Sequence, residues 1–326
     1  MLTVFKIFPT PPTMIYDLHE DLAYYFFSGK QPDLDQDVEG RQSDIPKLKR
    51  AGVELVFASI FPIATTYGAQ GPGSAIPAGA KTIAIEMFKM MYRLSNRHNL
   101  VIIENRVDIY RGGLKLLLLM EGADALDDPD DLLIYYRLGL RAIGITWNLD
   151  NKFGASCLTK KDYGLTAYGE ELVALANKLG VVLDLAHASK RTALDVLSAS
   201  RKPVVISHAN IASVHKVPRN VDDDVLDALK KNGGVIGLTA IPSTIGGRGS
   251  LADLVRHALY VKEHFGADIL AIGTDALGVD RMAEGLETVE KLPAFLEMLR
   301  EAGFNEGEVE GVAYRNALRV LEANLT

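Results

Sequence analysis

The chain places imidazoles and carboxylates where apolar segments end. The residues and their segments are His19 and Asp21 ("MIYDLHEDL"), Glu121 ("LKLLLLM"), His187 ("VVLDLAH"), His208 ("PVVISHA") and Asp275 ("ILAIGTDA"). Imidazole nitrogens and carboxylate oxygens together suit a borderline divalent cation such as zinc. A histidine at a strand end is also a common hydrogen-bonded boundary residue, so no single position decides between the two interpretations. The recurrence of the pattern at separate segments favours a metal site.

The spacing of these residues predicts how they would share two cations. His19 and Asp21 are two apart on an extended segment, so their side chains point to one face and can share a metal. His187 and His208 end neighbouring segments and can bind a second. Glu121 has two oxygens and can bridge the pair, or it is a simple strand-exit carboxylate. Two cations about 3.5–4 Å apart can activate a bridging water and polarise a carbonyl.

Two further residues have a chemical and a structural interpretation. Asp275, in "GTDALG", can transfer a proton between hydroxide and a leaving amine, or it is a turn residue or helix N-cap. Arg219, in "HKVPRNVDDDV", can bind a carboxylate through its forked guanidinium. Alternatively it pairs with the acids Asp222–Asp224 at the start of the next helix. The sequence leaves both pairs of alternatives open.

Residues on separate segments meet only if the fold brings the segment ends together. The five segments above and three others ("VELVFASIF", "LRAIGIT", "GVIGLTAI") are mostly continuous apolar runs, typical of parallel strands covered on both faces. Helices are predicted between and after them over Ala80–Asn96, Ala167–Leu179, Asp222–Asn232, Leu251–Phe265 and Glu287–Glu301. The alternation predicts an α/β fold, a (β/α)8 TIM barrel formed by a single domain over 1–326, with extra C-terminal helices.

An open doubly wound sheet is the competing fold, but no Gly-rich phosphate loop follows an early strand. In a barrel the carboxyl ends of all strands face one mouth, where barrel enzymes have their active sites. Two loops rich in Gly and Pro, "FPIATTYGAQGPGSAIPAGA" and "IPSTIGGRGS", follow strands two and seven. We expect both to line or cover that mouth.

Composition restricts the partners and the compartment. The 326 residues are 48% hydrophobic and 24% charged, as in a globular protein with a large core. The net charge of -7, without a Lys/Arg-rich run, argues against a nucleic-acid partner. The longest apolar run is too short to cross a membrane, and "MLTVFKIFPTPPT" lacks the features of a signal peptide. Together with the single cysteine, Cys157, these features predict a cytoplasmic protein with no membrane partner.

The motifs resemble those of the membrane (renal) dipeptidase family, the amidohydrolase-like metallopeptidases of peptidase family M19. The matching stretches, in order along most of the chain, are "DLHED", "DIPKLKRAGV", "MEGADAL", "GITWN", "VVLDLAHAS", "PVVISHAN", "RNVDDDVL" and "IGTDALGV". His-x-Asp alone is a weak signal, but its combination with "DLAHAS", a later histidine and "RN" is specific. The resemblance implies a barrel of the metal-dependent hydrolase type and a small-molecule peptide substrate.

The resemblance also implies a role for each matching residue. The implied ligands are His19, Asp21 and Glu121 for one zinc, and Glu121, His187 and His208 for the other. Arg219 would hold the C-terminal carboxylate of the substrate, and Asp275 would handle the proton. The implied activity is zinc-dependent hydrolysis of dipeptides, including those with a C-terminal D-residue, by a metal-bridging hydroxide. Relatives often form homodimers, so a homodimer is an expected assembly.

One position departs from the family pattern. Trp147, in "GITWNLDN", stands where the animal enzymes carry a histidine that contacts the substrate and polarises its carbonyl. Tryptophan donates only through Nε1–H and carries no charge, so Trp147 either donates to an oxyanion or fills the pocket and favours a flat or apolar side chain. This departure motivates an alternative function, a related amidohydrolase acting on a lactone, a β-lactam or an N-acyl amino acid. A non-catalytic metal-binding scaffold is the third hypothesis, and the metal is zinc, manganese or cobalt.

Overall fold

The computed structural model describes residues 14–27, 33–63, 65–68, 71–75 and 77–326, with side chains outside 64–78. The predictions for "MLTVFKIFPTPPT" and for the centre of the Gly/Pro-rich loop after strand two lie outside these residues.

Eight parallel strands close into a barrel. They are β1 (Ile15–Glu20), β2 (Val53–Ile60), β3 (Lys115–Met120), β4 (Leu140–Gly144), β5 (Val182–Asp184), β6 (Val205–Ala209), β7 (Val235–Leu238) and β8 (Leu270–Ile272). Each strand pairs with the next in parallel, and β8 pairs with β1 through Asp17 and Ile272. The predicted (β/α)8 barrel is therefore confirmed, and the open sheet is excluded because such a sheet would leave two edges unpaired. A short strand, Val101–Ile102, adds to β3, and Thr65–Gly68 pairs with Gly71–Ala75 in a separate hairpin.

A helix follows every barrel strand. These helices are Ile45–Ala51, Pro77–His98, Asp131–Arg137, Ala167–Leu179, Lys190–Ala199, Asp223–Asn232, Leu251–His264 and Leu292–Glu301. The loops at the carboxyl-terminal mouth contain two short helices, Leu22–Phe27 and Pro242–Ile245. Single 3-10 turns are Arg106–Tyr110, Ala123–Ala125, Ala267–Ile269 and Val289–Lys291. The chain ends in the α-helix Glu306–Glu310, a π-turn, Gly311–Arg315, and the helix Asn316–Asn324.

The predicted helices are confirmed, with shifts at their ends that local chemistry explains. The helix expected from Asp222 begins one residue later because Asp222 is the extended N-cap residue. The helix expected from Glu287 begins at Leu292, after an extended Thr288 and a 3-10 turn. Pro293 in its first turn lacks an N–H and has a φ suited to a helix start, so it marks this beginning.

The barrel interior is an apolar core that is closed at one end. Inward side chains such as Leu18 and Phe57 are fully buried, and burial of each stabilises the fold by about 1.5–3 kcal/mol. Val320 and Leu321 of the last helix join the same cluster. The extra C-terminal helix therefore covers the amino-terminal mouth, which leaves the opposite mouth for a site. Among the helices of the described residues, none combines the length and hydropathy that a bilayer span requires.

Candidate metal centre

The predicted site residues meet at the carboxyl-terminal mouth of the barrel. A cavity of about 450 Å³ opens there, and its lining includes Asp21, Glu121, Trp147, His187, His208, Arg219 and Asp275. His19 lies directly beneath, fully buried. The starts of both Gly/Pro-rich loops line the same cavity through Phe61, Ile63 and Ile241, as expected for loops at this mouth.

Glu121 is the centre of the cluster. Its Oε2 lies 3.4 Å from His19 Nε2. Its Oε1 lies 3.0 Å from His187 Nε2 and 3.6 Å from His208 Nε2. Ser59 Oγ donates to Oε2 at 3.0 Å and helps to fix the carboxylate plane. Each oxygen thus faces a different set of imidazoles, which is the arrangement that a bridging carboxylate needs.

The two histidines beside Glu121 present lone pairs to each other. His187 Nδ1 donates to Asn148 Oδ1 at 2.7 Å, and His208 Nδ1 donates to Ser207 Oγ at 2.9 Å. A neutral imidazole that is protonated at Nδ1 has an unprotonated Nε2. The two Nε2 atoms lie only 2.9 Å apart, so two lone pairs converge on one point. A cation relieves that repulsion, and neutral imidazole nitrogens with Nδ1 bound to an oxygen are common metal ligands.

The surroundings of His19 are a second indication of a cation site. Its ring is buried, yet neither Nδ1 nor Nε2 has a hydrogen-bond partner among the described residues. Nε2 lies 3.5 Å from Asp21 Oδ2 and 3.6 Å from Asp275 Oδ1. A buried polar atom without a partner costs about 1–3 kcal/mol, whereas coordination to a metal would satisfy it. Two ligand-competent groups share this histidine, His19–Glu121–His208 and His19–Asp21–Asp275. Asp275 is therefore close enough to be a ligand as well as an acid–base group.

The protonation states of most residues in the cluster favour binding of a cation. Burial and the Arg219 guanidinium lower the pKa of His187 to about 3. Burial and the charge on His19 likewise hold the pKa of His208 well below its usual value, so both rings are neutral near pH 7. Burial opposes ionisation of Glu121, but the charge on His19 outweighs this and keeps the pKa of Glu121 well below normal. Glu121 is therefore an anion between two neutral imidazoles.

His19 is the exception, and it predicts a measurable proton release. Burial opposes its protonation, but the charges of Glu121 and Asp21 outweigh this and raise its pKa well above the usual value. Metal-free His19 is therefore protonated near pH 7, and cation binding displaces that proton. We expect zinc titration of the metal-free protein to release about one histidine proton per chain, since His187 and His208 are already neutral.

This release is measured by calorimetry in two buffers of different ionisation enthalpy. His19 loses its proton as the pH rises through its raised pKa. The number of protons released should therefore fall, and the apparent affinity for zinc should increase, with rising starting pH. A release that does not change with the starting pH, or no release at any pH, would contradict this assignment.

Strands β1 and β8 hold His19 beside Asp275. Asp17 accepts from Thr274 N and Oγ1 at 2.8 and 2.6 Å, and Asp275 N donates to His19 O at 3.0 Å. Asp275 has a left-handed φ of 64°, a conformation that is uncommon for non-glycine residues and that aspartate tolerates better than most. Any Cβ at Gly278 would lie 2.1 Å from Asp21 Oδ2. A side chain there would displace the Asp21 carboxylate.

Sequence reasoning missed the residues behind the ligands. Asp184 Oδ2 accepts from Ser207 Oγ at 2.5 Å, which leaves that oxygen to accept from His208 Nδ1. Asn148 Oδ1 likewise accepts from His187 Nδ1. A carboxylate stands two or three residues before a ligand histidine in both "DLH" and "DLAH". An acid within an apolar strand, shortly before a ligand histidine, is the sequence feature that could have indicated these supporting residues.

The structure distinguishes the two interpretations of Arg219. Its Nη2 lies 3.2 Å from His187 Nε2 and donates to His208 O at the same distance. Asp222 and Asp224 instead face Lys190 Nζ at 3.8 and 2.6 Å. The guanidinium is thus a cation at the cavity beside the ligand cluster. It is not a helix-start ion pair.

Trp147 also lines the cavity. Its ring lies 6.0 Å from the ring of His187 and 5.1 Å from that of Phe61. Glu20, between His19 and Asp21, is fully buried and accepts from Ser43 Oγ at 2.6 Å. It belongs to none of the ligand-competent groups in the described part of the chain.

Comparison with known proteins gives several relatives that are named dipeptidases. An uncharacterized dipeptidase of Schizosaccharomyces pombe is 35% identical over 219 residues, 64% of this chain and 53% of that protein. Dipeptidase 3 of Rattus norvegicus is 31% identical over 257 residues, 74% of this chain and 52% of that protein. The chain thus spans about half the length of these two relatives. Dipeptidase verJ of Clonostachys rogersoniana is 29% identical over 325 residues, 95% of this chain and 84% of that protein.

Solved structures show the same fold. A metallopeptidase from Rhodobacter sphaeroides, bound to a phosphinate mimic of L-Ala-D-Ala, superposes with a TM-score of 0.86 at 23% identity, covering 96% of this chain and all of that one. The family model described as membrane dipeptidase (peptidase family M19) matches residues 11–325. Nearly the whole barrel, with its ligand cluster, falls within this match, and the chain belongs to the membrane dipeptidase family, peptidase family M19.

Proposed function

We propose that this protein is a zinc-dependent dipeptidase with two cations per chain. The observation that carries the proposal is the pair of facing Nε2 lone pairs of His187 and His208, 2.9 Å apart and beside the Glu121 carboxylate. The proposal also draws on the relatives, which are named dipeptidases. One solved relative binds a phosphinate mimic of L-Ala-D-Ala, which motivates testing substrates with a C-terminal D-residue.

The proposed ligands follow the contacts of Glu121. His19, Asp21 and one Glu121 oxygen would hold one cation; His187, His208 and the other oxygen would hold the second. Bound divalent cations at this point would supply Lewis acidity for attack of water on a peptide carbonyl. The three imidazoles and two carboxylates form a mixed nitrogen and oxygen donor set that suits zinc better than magnesium or calcium.

Asp275 and Arg219 would have the remaining roles in the reaction, proton transfer and substrate binding. Asp275 lies 3.6 Å from His19 Nε2, beside the place where the scissile bond would lie, and would transfer the proton to the leaving amine. Arg219 would bind the C-terminal carboxylate of the substrate through charge-assisted hydrogen bonds. A dipeptide is selected because its carboxylate stands one residue beyond the scissile bond.

The direct test combines metal content with a substrate panel. Purified protein loaded with zinc should contain two metal ions per chain and should hydrolyse members of a panel of L-L and L-D dipeptides. Absence of turnover for every dipeptide, with two metals bound, would overturn the proposal.

Replacing Arg219 with alanine should weaken the use of substrates that carry a free carboxylate. Hydrogen bonds to a charged group contribute about 1.5–3 kcal/mol, so kcat/KM for dipeptides should fall about 10- to 100-fold, chiefly through KM. The matched dipeptide amides, which lack the carboxylate, should change little.

Arg191, an exposed cation on the helix Lys190–Ala199, offers the control variant Arg191→Ala. An equal loss of kcat/KM for acids and amides in Arg219→Ala would refute the carboxylate role. It would instead indicate that Arg219 serves mainly to orient His187, with which it is in contact.

Trp147 supports a second candidate function. It lines the cavity where the animal enzymes carry a histidine, and it offers only an uncharged donor. A changed carbonyl contact permits another electrophile, such as a lactone, a β-lactam or an N-acyl amino acid. A kcat/KM for such compounds far above that for every dipeptide would favour this candidate.

The compartment and the assembly are also proposals. A single cysteine fits a reducing, cytoplasmic environment, and the family resemblance leads us to expect a homodimer. Light scattering of the purified protein measures its oligomeric state.

A further inference from the structure

The two loops that follow β6 and β7 lie side by side at the carboxyl-terminal mouth. The loop at 210–222 carries Arg219, and the loop at 239–250 contains the short helix Pro242–Ile245. Both contribute to the cavity above the ligand cluster, through Arg219 and Thr244 among others. The position of Arg219 at this cavity therefore depends on how the two loops are held together.

Asn220, the residue after Arg219, is at the centre of the connection between the loops. It is only 8% exposed, and its Nδ2 donates to Thr244 O and to His215 O, both at 2.7 Å. The first bond crosses to the β7 loop, and the second braces the β6 loop internally. Asn220 lies outside the lining of the cavity above the ligand cluster, so it does not contact a substrate bound there.

Two fully buried side chains join the same loops. Asn210 Nδ2 donates to Thr244 Oγ1 at 2.9 Å. His257, from the helix that follows β7, accepts from Ile211 N at 3.1 Å through Nδ1 and donates to Ile245 O at 2.9 Å through Nε2. Three side chains thus connect one loop to the other. We name them the loop clamp, which consists of Asn210, Asn220 and His257.

The segment that carries Arg219 is closed at its base. Val221 N donates to Asn210 O at 2.8 Å, and Ala212 N donates to Val221 O at 2.9 Å. Residues 212–220 therefore leave the barrel and return to it at one point. Among the described residues, the guanidinium of Arg219 makes hydrogen bonds only through Nη2. Its other nitrogens are available for a carboxylate, and the backbone of the loop has to fix where they point.

We propose that the loop clamp, through Asn220 above all, positions Arg219 for the carboxylate of the substrate; this assignment rests on the proposed dipeptidase function. The apparent affinity for a ligand falls in proportion to the fraction of molecules in the binding-competent conformation. With the clamp intact, the loop holds the guanidinium beside His187 before the substrate arrives. Without it, the loop adopts other positions, and binding of the substrate has to restore the competent one.

The test is Asn220→Ala in the zinc-loaded protein, assayed with a dipeptide and with its matched amide. Loss of both Nδ2 bonds should raise KM for the dipeptide about three- to tenfold, which corresponds to about a third to a tenth of the chains keeping Arg219 in place. The amide has no carboxylate for Arg219, so its KM should change little. The two bound cations and kcat should stay near those of the unaltered protein.

A double-mutant cycle distinguishes positioning from a general loss of stability. If Asn220 acts through Arg219, Asn220→Ala should have almost no further effect on kcat/KM for the dipeptide in the Arg219→Ala background, because the group that it positions is gone. A residue with a merely structural role would lower kcat/KM by the same factor in both backgrounds.

A second variant disturbs the connection from the other loop. Any Cβ at Gly246 would lie 2.5 Å from His215 Cγ, so Gly246→Ala should push the loops apart and cause the same selective rise in KM, even if Asn220→Ala does not fold. Asn316→Ala is the control. Asn316 Nδ2 also donates to two carbonyls, Ala267 O and Leu270 O, but at the amino-terminal end of β8. Its loss should lower Tm without changing the ratio of the two KM values.

Two kinds of result overturn the inference in distinguishable ways. An unchanged KM for the dipeptide in both loop variants, an equal change for dipeptide and amide, or additive effects in the double mutant refutes the positioning role and leaves the dipeptidase function standing. If the zinc-loaded, unaltered protein cleaves no dipeptide, the proposed function fails and the positioning role fails with it.

Discussion

Replacing Glu121 with glutamine should reduce the metal content from two ions to at most one per chain and lower kcat/KM by about a thousandfold or more. Glu121 is the only described residue whose two oxygens face both His19 and the His187–His208 pair. The amide has the same shape but one oxygen, so one set of imidazoles loses its carboxylate. Metal-ion catalysis contributes several kcal/mol to the barrier, and each 1.36 kcal/mol corresponds to a factor of ten in rate.

The measurement is metal analysis alongside dipeptide kinetics, with thermal unfolding to show that the variant folds. Asp124→Asn is a matched control: Asp124 is a buried acid three residues away that bonds to Asn151 and lies outside the ligand cluster. Burial raises the pKa of Asp124 to about 6, so a neutral amide there removes little favourable charge. Two tightly bound ions in Glu121→Gln would refute the bridging role.

The location of the site could be predicted from the sequence because barrel geometry is so restrictive. Once alternating strands and helices indicate a (β/α)8 barrel, every strand end must face one mouth. His208 ends β6, and Glu121 directly follows β3, so their proximity follows from strand order alone. The interpretation of each residue still needed the fold, since a lone strand-end histidine has an ordinary structural explanation.

The contacts behind the ligands could not be predicted in the same way. The bond from Ser207 to Asp184 and the bond between Asn148 and His187 depend on strand stagger and side-chain rotamers, which periodicity does not encode. The same holds for the short strands β5 and β8, which end three residues before His187 and Asp275. Both residues adopt left-handed φ values after the ladder ends, and apolar patterning alone does not reveal such a turn.

Replacing Asp275 with asparagine should lower kcat about 10²- to 10⁴-fold, the usual contribution of a general acid–base group, while KM changes little. The amide keeps the size and hydrogen-bonding shape of the carboxyl group but cannot take up or release a proton. Burial, together with the charges of Asp21 and Glu121, raises the pKa of Asp275 well above its usual value in the metal-free chain. A carboxyl group in such a setting is matched to proton transfer nearer neutral pH.

Metal analysis distinguishes the acid–base role of Asp275 from a role as a metal ligand, which the geometry also allows. Asp275 is grouped with His19 and Asp21 as a ligand-competent set, so a ligand role predicts loss of one cation in Asp275→Asn. The acid–base role predicts two retained cations, a low kcat and loss of the acidic limb of the kcat profile. That limb arises because a base must be ionised, so activity falls as the pH drops through its pKa. Asp280→Asn, at an exposed residue nearby, is the control. It should bind two cations and should have the same kcat and the same acidic limb of the kcat profile as the unaltered protein. Full activity in Asp275→Asn would exclude both roles, since neither a ligand nor a proton-transfer group can be replaced by an amide without cost.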